Sequence, residues 1–124
     1  MTVFAQFLTE GCFLVSEVHP FLDGNGRVAR VAMNNQLAAA DAARIIVPTV
    51  IRDPYISALR RATAGNGPEG LYRVLRHTQE WVAAADFSSL EAGIRYLNAS
   101  DAELNPADYE DRRVYLRIPS PYEL

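Results

Sequence analysis

His19, Asp23, Gly24, Gly26, Arg27 and Arg30 put an imidazole, a carboxylate, two glycines and two guanidiniums into one short stretch, residues 19–30. Gly24 and Gly26 permit backbone angles that side chains forbid and allow close approach of an incoming group. Asn25 between them also tolerates left-handed geometry. The spacing after Gly26 predicts a helix, so residues 24–27 supply its unpaired amide N–H groups. A helix start of this kind attracts anions. Arg27 and Arg30 are spaced i, i+3 and share a side of that helix. Two guanidiniums beside a nest of amides suit phosphate. Asp23, directly before the nest, would repel phosphate unless a cation came between them, and Mg²⁺ binds through one carboxylate plus substrate phosphates. His19 carries the only nearby group whose ordinary pKa suits proton abstraction near neutrality. Phe21 is expected to point inward and anchor the loop.

Taken singly, each feature has a blander explanation. A Gly-Asn-Gly tripeptide is a turn signal, a lone histidine is usually structural or solvated, and an i, i+3 arginine pair is usually a solvated helix face. The same chain supplies a control: Gly65-Asn66-Gly67 repeats the tripeptide without the surrounding residues and is read as a helix end and turn. The blander explanations fail together only at 19–30, where many residue types stand in fixed order.

That ordered stretch, His19-Pro20-Phe21-Leu22-Asp23-Gly24-Asn25-Gly26-Arg27-Val28-Ala29-Arg30, resembles the Fic family signature H-P-F-x-[D/E]-G-N-G-R-x-x-R at every specified position. The resemblance implies a mostly helical fold and transfer of AMP from ATP to a hydroxyl of a target protein. It implies His19 as base and Asp23 as Mg²⁺ ligand. Gly24, Asn25 and Gly26 would form the anion hole, Arg27 and Arg30 would contact the nucleotide phosphates, and Phe21 would be buried under the loop. A hydroxyl-bearing target protein and an inhibitory or antitoxin partner are the partners it implies.

Other readings stay open beside this one. The chain is alternatively a nucleotide-binding piece without activity of its own, a transferase of another phosphate-linked group such as UMP or phosphocholine, or an inert helical interaction module. The signature starts at residue 19, and the helices and flap that precede it in a full Fic domain have no room before it. The expectation is therefore the C-terminal part of such a domain. Gln6-Phe7-Leu8-Thr9-Glu10-Gly11 matches only the end of the family's inhibitory motif and lies too close to His19, so no inhibitory glutamate is assigned. Gly24 and Gly26 differ from the alanine and lysine of the related Doc kinases, which disfavours γ-phosphate transfer.

The whole sequence agrees with a globular reading. It has 124 residues, 49% hydrophobic and 22% charged, and a net charge of −3. That balance speaks against general nucleic-acid binding. Cys12 stands alone, so no internal disulfide forms and a reducing, cytoplasmic setting is expected; Cys12 itself is read as a core packer. Neither a signal peptide nor a membrane span is visible.

The elements that must position the signature read as all-α: a partial Fic-like helical bundle with 1–86 as its core and 87–124 as a helical extension and irregular tail. Residues 2–17 predict a helix leading into the His19 loop. Residues 26–42 predict a second, with Val28, Val31, Ala32, Leu37 and Ala38–Ala40 enclosed, Arg27, Arg30 and Asn34 on another stripe, and Asn34 an interior amide. Ile45–Ile51 reads as an extended linker around Pro48. Asp53 is expected to cap a third helix with Pro54 at its first position. Arg52, Tyr55, Leu59 and Ala62, ahead of a glycine turn, resemble the segment that follows the signature in Fic proteins. A fourth helix is expected over 68–85, with His77 solvated. A fifth is expected over 89–98, capped by Ser88, with Leu90, Ile94 and Leu97 inward. A short helix near Pro106–Arg113 follows, then a strand or docked tail at Tyr115–Ile118.

Overall fold

The computed structural model describes residues 25–124, with side chains from Arg27 onward. Its α-helices are α1 (Asn25–Ala39), α2 (Arg52–Thr63), α3 (Glu69–Ala84) and α4 (Leu90–Ala99). Single 3₁₀ turns occupy Thr49–Ile51, Pro106–Asp108 and Pro121–Glu123. Among the described residues there is no strand, and the architecture is all-helical as expected. No described helix is long and apolar enough to cross a membrane. The expected helix over 2–17 and the loop carrying His19 and Phe21 lie outside the described residues.

Why the helices stop where they do is written in three residues. Asp41, Gly65 and Asp101 have φ of 55°, 81° and 58°. Each follows a helix and closes it in the same way. Asp41 N donates to Ala38 O and Ala42 N to Leu37 O after α1; Gly65 N to Ala62 O and Asn66 N to Arg61 O after α2; Asp101 N to Asn98 O and Ala102 N to Leu97 O after α4. This pair of bonds satisfies the last orphan carbonyls of a helix whose next residue turns left-handed. Gly65 behaves as its sequence suggests. Asp41 ends α1 at Ala39, short of the expected 42, because its short polar side chain lets it take the place of a glycine.

Two helix starts differ from expectation. Asp53 is not the cap of α2: the 3₁₀ turn at Thr49–Ile51 feeds straight into the helix, and Asp53 lies in its first turn. Ser89, not Ser88, caps α4, its Oγ accepting from Ala92 N. Ser88 N instead donates to Asp86 Oδ1.

Two apolar clusters form the interior. The first joins Ala29, Met33 and Leu37 of α1 to Ile45, Tyr55, Ala58, Leu71 and Leu75. The second joins Val50 and Ile51 to Trp81, Tyr96, Ala102 and Leu116. Helix α3 serves both: its Leu71 and Leu75 enter one and its Trp81 the other, with Val74 packed against each. Tyr96 Oη donates to Trp81 O at 2.6 Å, and the rings of Trp81, Phe87 and Tyr96 stack edge-on or tilted at 5.7–6.5 Å.

Several faces are corrected by this packing. The buried stripe of α1 runs through Ala29, Met33 and Leu37 at i, i+4, i+8; Val31 is 70% exposed and Ala32 and Ala38–Ala40 are exposed, not enclosed. On α4, Gly93 and Tyr96 are buried, whereas Leu90 is 81% exposed and Ile94 half exposed. His77 is not solvated: its Nε2 hydrogen-bonds Leu116 O at 2.9 Å. Residues 115–118 form a docked tail instead of a strand. Leu116 is buried, Arg117 N donates to Ser100 O, and Arg117 Nη2 donates to Ala99 O at 2.8 Å. The expected helix near Pro106–Arg113 shrinks to the Pro106–Asp108 turn. The end of the tail is more ordered than expected, with Ser120 and Glu123 forming a reciprocal capping box around Pro121–Glu123.

Candidate functional site

The start of α1 is where the signature meets described structure. His19, Phe21, Asp23 and Gly24 lie outside the described residues. Asn25 and Gly26 open α1, with Arg27 and Arg30 following in its first turns. The helix begins one residue earlier than expected, so the amides that have no partner within the helix start at Asn25. Four N–H groups at such an end have no partner within the helix and carry the positive end of its dipole. No acidic residue stands in that first turn to compensate it. The helix dipole there favours an anion, and Arg27 stands exposed on the same first turn.

Arg30 sits beside the buried stripe and is half-buried. It faces a hollow of about 320 Å³ lined also by Val47 and Thr49 of the connecting segment and by Arg52, Tyr55 and Ile56 of α2. The walls of this hollow are held by side-chain bonds to the backbone. Asn34, four residues after Arg30 on α1, grips the connecting segment through both atoms of its amide: Nδ2 donates to Ile45 O at 2.8 Å and Oδ1 accepts from Ile45 N at 2.7 Å. Gln79 of α3 donates from the other side to Ala43 O at 3.1 Å. Asn34 is thus the interior amide that the sequence suggests. The two arginines share a stripe of α1, but only Arg30 lines the hollow.

Arg52 lines the same hollow, which the sequence did not announce. Sequence reasoning noted Arg52 only as part of a segment following the signature, and the signal that singles it out is spatial: the 3₁₀ turn brings the start of α2 opposite Arg30. A second groove, of about 640 Å³, lies between the start of α2 and the docked tail, with His77, Asp53 and Arg113 among its walls. Of the described signature residues, none lines it. Among the described residues no cluster of three metal-ligating side chains occurs. A Mg²⁺ held by one carboxylate and by phosphate oxygens would need none.

Residues 4–37 match the model of the Fic/DOC family. The signature from His19 to Arg30 lies inside that matched stretch. A protein of Caenorhabditis elegans named protein adenylyltransferase fic-1 is 29% identical over 93 residues, which cover 75% of this chain and 18% of that protein. Proteins named protein adenylyltransferase Fic from Drosophila yakuba and Drosophila grimshawi are 41% identical over 49 residues, 40% of this chain and 10% of theirs. The chain thus spans less than a fifth of the length of these curated relatives. No solved structure matches it.

Proposed function

We propose that this chain provides the nucleotide-handling part of a protein adenylyltransferase, moving AMP from ATP to a Tyr, Thr or Ser hydroxyl of a target protein. The observation that carries the reading is the unbroken signature His19–Arg30 inside the stretch that matches the Fic/DOC family model, in a chain similar to proteins named protein adenylyltransferase. The start of α1 is consistent with it, since the positive end of a helix dipole suits a polyphosphate.

In this reading His19 accepts the proton of the target hydroxyl. The hydroxyl oxygen forms a bond to the α-phosphorus of ATP, the bond from that phosphorus to the bridging oxygen breaks, and pyrophosphate leaves. The amides around Gly24, Asn25 and Gly26 and the guanidiniums of Arg27 and Arg30 hold the phosphates and the charge that develops on them. Phe21 seats the loop. Asp23 would hold Mg²⁺, which when bound neutralises charge between adjacent phosphates. The setting proposed is cytoplasmic, with no specific nucleic acid and no membrane as partner, and with an inhibitory or antitoxin protein as regulator. Residues 1–86 are proposed as the part belonging to the Fic core and 87–124 as its extension.

Mass spectrometry of proteins from a cell extract incubated with the chain, ATP and Mg²⁺ tests the choice of transferred group. Adenosine monophosphate adducts on hydroxyl side chains are expected. Adducts of UMP or phosphocholine instead, when those donors are supplied in place of ATP, would move the reading to another phosphate-linked group.

A further inference from the structure

The hollow opposite α1 has a composition that the signature does not account for. Arg30 and Arg52 reach it from two different helices, and Thr49 brings a hydroxyl, while none of the described residues that line it carries a carboxylate. Asp53, the neighbour of Arg52, lines the separate groove on the tail side instead. The acid nearest in sequence is therefore turned away from the two guanidiniums. A volume of about 320 Å³ sits at the low end of ligand pockets, which run from about 300 to 1,000 Å³. That is ample room for a phosphate or pyrophosphate group.

We infer that Arg52, with Thr49, completes an anion clamp with Arg30 that takes the pyrophosphate end of the nucleotide, the part that becomes the leaving group. This rests on the adenylyltransferase reading for its biological meaning, but the clamp itself is a property of the described residues. Guanidiniums present a planar fork of donors that matches phosphate oxygens, and two on separate helices can grip two linked phosphates at once. Pyrophosphate offers each guanidinium a phosphate of its own and carries more charge than orthophosphate. The position of Arg52 is fixed by the chain around it: Arg52 N donates to Thr49 O in the 3₁₀ turn. Asn34 and Gln79 fix the connecting segment that leads into that turn.

Isothermal titration of the full chain with inorganic pyrophosphate and with orthophosphate tests the clamp. The wild-type chain is expected to prefer pyrophosphate. Arg52→Ala should weaken pyrophosphate binding about tenfold or more, the loss of one charge-assisted contact. Arg52→Lys should retain part of it, and Arg44→Ala, at an exposed arginine away from the hollow, should leave it unchanged. Circular dichroism melting shows that the Arg52 variants are folded. The clamp is overturned if wild type does not bind pyrophosphate, if Arg52→Ala binds as wild type does, or if Arg44→Ala weakens binding equally. Label transfer to target protein, measured in parallel, separates the two claims. Arg52-dependent pyrophosphate binding without transfer leaves the clamp and removes the transferase reading. Transfer without any such dependence does the reverse.

Discussion

Tyr96 shows how one side chain ties chemistry to folding. Burial pushes its phenol above the ordinary value of 10.0, because the ionised form would lose its hydration. The folded state then holds its proton where the unfolded chain releases it. The sign follows: the unfolded state binds fewer protons in that window, so stability falls as pH rises. The contribution is whole below pH 10.0 and is lost as pH climbs from there toward the raised folded value. Thermal melts across the alkaline range should show Tm declining in that window, with a shallower decline for Tyr96→Phe. A decline of equal slope in the variant would assign it to other groups. The hydroxyl's bond to Trp81 O disappears in the same variant, so it should also be less stable at neutral pH by about 0.5–1.5 kcal/mol.

At the scale of elements, α1 and the segment after it hold the site together, and their details separate what was readable from what was not. The apolar residues of 26–42 announced a helix, and Asn34 announced an interior amide. Which face would be buried was not readable, because valine, alanine and leucine occur on nearly every side of that helix. Only the packing against Tyr55, Ala58 and Leu71 selects Ala29, Met33 and Leu37. The end of α1 was missed because Asp41 does the work usually given to glycine. Left-handed backbone at a residue with a Cβ carries strain of about 1 kcal/mol. Asp41→Gly should therefore raise stability by about 0.5–1 kcal/mol in denaturant melts, part of the relief being offset by the freer unfolded chain. A loss of stability would mean that the aspartate side chain makes a contact worth more than its strain. Asn34→Ala works in the opposite direction. It strands both Ile45 N and Ile45 O in a half-buried place and should cost about 1–3 kcal/mol. Ser88 and Asp53 illustrate a smaller gap: at α4 two adjacent serines compete for the cap and Ser89 takes it, while at α2 the preceding 3₁₀ turn runs into the helix at Ile51 and leaves Asp53 inside the first turn.

Across the whole molecule, helix α3 is the shared wall of both apolar clusters, so the site end and the tail end are coupled through it. Trp81 is nearly fully buried against Tyr96 and Phe87. Trp81→Ala should cost about 3–5 kcal/mol. Trp81→Phe should cost clearly less, because the indole Nε1 is buried without a partner among the described residues and its removal gives up no bond. Equal losses in the two variants, read by chemical denaturation, would contradict this. The tail around Leu116 was legible only as a pair of alternatives. Its docking depends on His77, Ser100 and Ala99, residues far apart in sequence whose meeting no local pattern announces. The signature was the opposite case: its meaning lies in the order of adjacent residues, so it could be read before any fold was known.

The central claim is that His19 serves as the base of a transfer of AMP. Target protein incubated with the chain, Mg²⁺ and ATP labelled at the α-phosphate measures it most directly. The account predicts label on the target with the wild-type chain and a loss of roughly 10²–10⁴-fold in rate with His19→Ala. Label transferred by His19→Ala as fast as by wild type would contradict it.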